Sequence, residues 1–143
     1  MSYPLIRFEC FPTNVAAGVH AGWLNADTDT IKFMLSSTPP VVATMVKKAD
    51  ATEITEEHGY TGAVDIENAA TKTGTTITIA AVDKTLTGTG GSFGPYQYCY
   101  FFNDTAVDKP LIGYYNYGAP ITTKDTAVFI FDADVAGWFT FGG

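Results

Sequence analysis

Residues 96–118 read YQYCYFFNDTAVDKPLIGYYNYG, and the parsing of this stretch decides the fold. Two runs dense in tyrosine and phenylalanine flank a polar segment, NDTAVDKP. Aromatic side chains suit the pleated, half-buried surface of a strand. Asn103, Asp104, Asp108 and Pro110 suit a turn, because short polar side chains bond nearby backbone and proline fixes φ. The stretch therefore predicts two strands joined by a turn. Alternation puts Tyr96, Tyr98, Tyr100 and Phe102 on one face of the first strand, with Gln97, Cys99 and Phe101 on the other. In the second strand Leu111, Gly113, Tyr115 and Tyr117 oppose Ile112, Tyr114 and Asn116. Two readings of these aromatics stay open. They pack across strands inside a sandwich, or they form a tyrosine-rich surface that covers a partner or a sugar.

The same pattern extends outward along the chain. TIKFMLSS (30–37) alternates Ile31, Phe33 and Leu35 against Lys32, Met34 and Ser36, which predicts a strand with one buried face, ended by Pro39-Pro40. Further strands are expected at about 62–67, 75–82, 126–132 and 136–141, each gap punctuated by Gly, Asn, Asp or Pro. In 126–132, Val128 and Ile130 oppose Phe129 and Phe131. A strand apolar on both faces belongs in the middle of a sandwich. Residues 41–48 fit strand or helix equally. DATEITEE (50–57) has Asp50 and Glu53 at capping-box spacing and Gly59 as a stop, so one or two helical turns are expected there. The chain thus reads as all-β: a jelly-roll-like or immunoglobulin-like β-sandwich of about eight strands with at most one short helix, in a single domain over residues 1–143.

Composition narrows the function. The 143 residues carry 15 acidic and 8 basic side chains, a net charge of −7, with Arg7 the sole arginine. Nucleic-acid binding needs clustered Lys and Arg to replace condensed counterions, so DNA and RNA are not expected as partners. No apolar run approaches the roughly 20 residues that span a bilayer, so no membrane partner is expected. Cys10 and Cys99 are too few for a disulfide framework or a zinc site and read as reduced, buried thiols. The opening MSYPLIRFECF lacks a basic segment leading into an apolar one, so synthesis in a cytoplasm is the expectation.

Reactive side chains are sparse. His20 and His58 sit in loop-like segments, His58 between Glu56-Glu57 and Gly59 at what reads as a solvated helix end, so neither is expected to act as a base. Asp27/Asp29 and Asp132/Asp134 are D-x-D pairs, yet the rest of a calcium loop is out of register, and turn formation is the simpler role. GTGGSFGP (88–95) lacks the lysine and following helix of a phosphate loop and reads as a loop before a strand. Asn103-Asp104-Thr105 matches a glycosylation sequon, read as coincidental without a secretion signal. No catalytic residue, cofactor or metal ligand is expected.

GGSFGPYQYCYFFNDTA, then KPLIGYYNYG, then a β run ending in DADVAGWFTF, form an ordered set. Together with NADTDTIKFMLSSTP and ITEEHGYTGA upstream, this set resembles a family of tailed-bacteriophage structural proteins across most of residues 25–141. Such proteins are similar to capsid decoration (cement) proteins, which sit on the outside of the phage head, commonly as trimers. The resemblance implies a non-enzymatic protein that stabilises the assembled head. Its partners would be the major capsid protein and itself, as a homotrimer, and its location the outer surface of the virion. A tail or fibre role and a carbohydrate-binding module are the alternatives. Residues 1–24 match least. YPLIRFECF (3–11) is apolar and separated from the next strand by a long polar loop. It reads either as the first strand of its own sandwich or as an extended arm that pairs with another chain. On the second reading Leu5, Ile6, Phe8 and Phe11 are the partner contacts.

Overall fold

The computed structural model describes residues 5–18, 29–74, 76–133 and 139–142. The fold is an all-β sandwich with antiparallel sheets and, among the described residues, one short α-helix. Its centre is the pairing expected from residues 96–118. Strand β7 (Phe93–Asn103) runs antiparallel to β8 (Leu111–Thr123). β2 (Ile31–Ser36) pairs with the other side of β7, matching Phe33 to Phe101 and Leu35 to Cys99. Short strands flank these three: β1 (Ile6–Arg7) beside β8 and β3 (Val64–Asp65) beside β2.

Both faces of this five-stranded sheet are covered. Over the first face lie a three-stranded sheet of β4 (Ala69–Thr73), β5 (Thr76–Ala80) and β10 (Phe139–Gly142), and a ribbon of β6 (Lys84–Thr87) with β9 (Val128–Phe131). Ile79, Phe129 and Phe131 descend from these elements onto Phe33, Phe101, Ile112 and Tyr115. The rings interlock, with Phe131 centred 5.3 Å from Phe33 and 5.6 Å from Phe101. The second face carries Met34, Tyr100, Phe102 and Leu111, with Phe8 from the N-terminal segment, roofed by Met45, Ala51 and Val42 from the irregular segment 41–51. β2 is therefore buried on both faces, not on one as its alternation suggests: Met34 and Ser36 lie under that roof.

The β7–β8 register shifts at three places, and simple alternation fails there. The β7–β8 register shifts between Tyr96 and Tyr98, so Tyr96 packs with Cys99 and Phe101 on the first face, while Tyr98 packs with Tyr100 and Phe102 on the second. A shift between Phe101 and Phe102 leaves Ile112 as an extra residue on β8, which moves it beside Tyr115 and leaves Leu111 with Tyr114. One inserted residue reverses the facing of everything beyond it, because the side-chain period of a strand is two.

The N-terminal segment belongs to its own sandwich. Ile6 pairs with Tyr114 and Arg7 with Gly113. Gly113 is required there, since a Cβ would lie 2.7 Å from the Ile6 carbonyl. Phe8 and Phe11 are 1% and 0% exposed, so both are withdrawn as contacts for another chain, because burying an aromatic ring against its own core is the larger gain. Leu5 is half-buried and Ile6 is 40% exposed. The expected loop after residue 11 is instead helix α1 (Cys10–Ala16), with Phe11 as its buried anchor. Pro12 falls in the first turn, where its missing N–H costs nothing.

The helix expected at 50–57 is absent. A 3₁₀ turn (Lys48–Asp50) precedes it, and the Asp50 carboxylate bonds backward to the N–H groups of Val46 and Lys47. Glu53 bridges to Ser36 and Ile54 N–H bonds Leu35 O, which holds the segment extended. Gly59 is no helix stop: a side chain there would collide with the Thr87 carbonyl. β4 and β6 were hidden in sequence by their threonines. The β6–β9 ribbon lies in the outer layer rather than mid-sandwich, with Val128 52% and Ile130 55% exposed.

The ring contacts of Phe131 give a stability expectation. Phe131→Ala should cost about 3–5 kcal/mol in urea denaturation, whereas Ile130→Ala, one residue away and outward, should change stability by less than about 0.5 kcal/mol. Equal effects from the two would mean that β9 is turned over.

Candidate functional site

The turn between β7 and β8 and the segment 47–53 enclose an open cavity of about 570 Å³, floored by Met34 and walled by Lys47, Lys48, Glu53, Asp104, Asp108 and Lys109. Asp108 and Lys109 both adopt left-handed backbone conformations, φ 65° and 49°, so the turn directs Lys109 back over Asp104. Lys109 Nζ lies 2.6 Å from Asp104 Oδ1 and Lys32 Nζ 3.2 Å from Asp104 Oδ2. Burial raises the Asp104 carboxyl, but the bonds and charges of Lys109 and Lys32 together outweigh it and hold the group below the usual carboxylate range. Across the cavity, Glu53 accepts from Lys48 at 3.3 Å and from the Tyr60 hydroxyl at 2.5 Å. Tyr60 in turn accepts from Leu35 N–H.

Much of this lining is tied up in structure. Thr105, the hydroxyl in the wall, accepts from Thr30 N–H. A smaller open cavity of about 360 Å³ shares Glu53 and is lined by Ser37, Thr38, Thr52, Thr55 and Pro95. Ser37 donates to the Pro95 carbonyl. Among the described residues, no serine or threonine hydroxyl lining either cavity bonds a histidine or a carboxylate.

The residues singled out in sequence are dispersed. His58 is an exposed turn residue at φ 50° whose carbonyl accepts from Thr89 N–H. His20, Asp27 and Asp134 lie outside the described residues. Asp29 accepts from the Asn103 side chain at 2.8 Å. Among the described residues no three His, Cys, Asp or Glu side chains gather as a metal site. Asn103 of the sequon is fully buried, and its Oδ1 accepts from Thr105 and Ala106 N–H, so the amide is unavailable for modification in the folded chain. Cys10 and Cys99 are both free thiols; Cys99 is buried, and burial pushes its pKa up.

The tyrosines are largely spent inside. Tyr60, Tyr96, Tyr100 and Tyr115 are buried. Tyr96 bonds Thr123 and Tyr100 donates to Thr38 O. Tyr98, Tyr114 and Tyr117 are half-buried among other rings. What the molecule presents instead is the outward side of its thin layer. On β4 and β5, Thr71 stands opposite Thr78 and Thr73 opposite Thr76. On the ribbon, Val128 stands opposite Thr87 and Ile130 opposite Thr85. Every one of these side chains is β-branched, uncharged and at least partly exposed. Strand alternation hid this surface, because sequence marks the apolar face and leaves the threonine face looking like ordinary solvent exposure.

Comparison with protein-family models, with curated proteins and with solved structures yields no match.

The Asp104 pairing makes a pH-dependent expectation. A carboxyl with a lowered pKa in the fold stabilises fully above its unfolded value of about 3.9, and this contribution disappears as pH falls through the folded value. Asp104→Asn should therefore be less stable than the parent at neutral pH, with the deficit shrinking below about pH 4. Urea midpoints across pH test this, and a deficit constant down to pH 2 would rule it out.

Proposed function

We propose that the chain is a non-enzymatic structural protein of a tailed-bacteriophage particle, a capsid decoration (cement) protein bound to the outside of the assembled head through the major capsid protein. The ordered motifs across residues 25–141 support this reading, and the outward face of the β6–β9 ribbon carries it. Val128 and Ile130 are more than half exposed and flanked by Thr85 and Thr87. On a chain of net charge −7 this face offers contact area without repulsion. β-branched side chains also have little rotamer freedom to lose on contact.

The mechanism is mechanical. A rigid sandwich laid across subunit boundaries adds buried area that must be exposed before the shell can open. Each contact can be small, because many copies act on one particle. A tail or fibre position would use the same face, and imaging of particles with and without the protein separates the two. The carbohydrate-binding alternative is weakened by the inward use of the tyrosines.

Ile130→Asp tests the reading. The side chain is exposed, so the thermal melt should stay near wild type while binding of purified protein to empty heads falls roughly tenfold or more. Unchanged head binding by the folded variant would remove the ribbon as the contact, and no binding by the parent protein would remove the proposal itself.

A further inference from the structure

β4 ends the three-stranded sheet, and among the described residues no strand pairs with its other side. Among the described residues it is, with five, the longest of the edge strands; β1 and β3 have two each and β6, β9 and β10 four. Its pairing with β5 is continuous, without a bulge. The long edge of β8 is guarded. On β8, beyond the part covered by β1, the Asn116 side chain accepts the Gly118 N–H, and Pro120 has none to offer. β4 has no proline or bulge, and Lys72 is the one edge-guarding charge it carries.

The polarity of that edge follows from the hairpin. Thr73 and Thr76 pair next to the connection and form a hydrogen-bonded pair, as does Thr71 with Thr78. Alternation then turns the N–H and C=O groups of Ala70 and Lys72 to the free side. Charge points to what can approach. No acidic residue stands between Glu67 and Asp83, in a chain where acids outnumber bases 15 to 8. Two copies repel over most of their surfaces, and this hairpin is a place where they do not.

We propose that β4 is a self-association edge, pairing antiparallel with β4 of a second copy about a two-fold axis at Thr71. In that register Ala70 faces Lys72 of the second copy, and the two exchange both backbone hydrogen bonds on each side of the axis. Lys72 never faces Lys72, and Thr71 meets Thr71 on the outward side. The sheets of two copies become one continuous sheet. The contact is isologous, so it closes at a dimer and differs from the three-fold arrangement implied by the resemblance. It does not depend on the phage reading.

Sedimentation equilibrium of the full chain into the millimolar range tests this, together with amide exchange. A reversible monomer–dimer equilibrium is expected, with the Ala70 and Lys72 amides slowing as concentration rises. Ala70→Pro removes an outward N–H that the hairpin does not use and should abolish the dimer with the fold intact. Thr71→Asp places two carboxylates opposite each other at the axis and should do the same. A chain that stays monomeric throughout, one that forms trimers instead, or a dimer that survives both substitutions in folded protein would overturn the proposal. So would protection at Thr71 but not at Ala70 and Lys72.

Discussion

The pairing of β7 with β8 presents large aromatic side chains on both sides at once, and the surrounding elements exist to cover them. Phe101 and Tyr115 need the thin outer layer; Tyr100, Phe102 and Leu111 need the roof at 41–51. Each buried ring contributes on the order of 1.5–3 kcal/mol, so leaving either face wet would consume the stability of a domain this size. That constraint explains why a segment with helical capping signals lies extended across β2, and why an apolar N-terminus folds back onto its own sheet.

The bulges make this double burial possible. A regular strand with tyrosine at every second position would load one face and starve the other. Shifting the register near Tyr96 and at Ile112 shares the rings between both faces. The hydroxyls then need partners: Tyr96 finds Thr123 within the central pair, Tyr100 the Thr38 carbonyl after β2, and Tyr60 the Glu53 carboxylate. The outward side of the thin layer is left lined by threonine, valine and isoleucine.

Much of this was legible in the chain. Turn formers between 103 and 110 set the central pair, and alternation set β2, β5 and β9. Burial of Cys99 followed from its aromatic surroundings. The threonine-rich strands β4 and β6 were not legible, since their residues alternate too weakly to mark a buried face. Helix α1 was obscured by Pro12, although the first helical turn accepts proline. The candidate surfaces were the least legible. Phe8 and Phe11 looked like contacts because they are apolar and terminal, whereas exposure is settled by what packs over a residue.

The sequence by itself determined that the chain is all-β, that its centre is an aromatic strand pair, and that it is acidic and poor in reactive groups. These follow from local preference and from composition, which no partner element can alter. Only the tertiary structure decided which tyrosines face which side, that 50–57 stays extended, and that β4 and the β6–β9 ribbon form the exposed layer. Each of those outcomes depends on register and cover, set by residues distant in the chain, where a one-residue shift reverses every side chain beyond it.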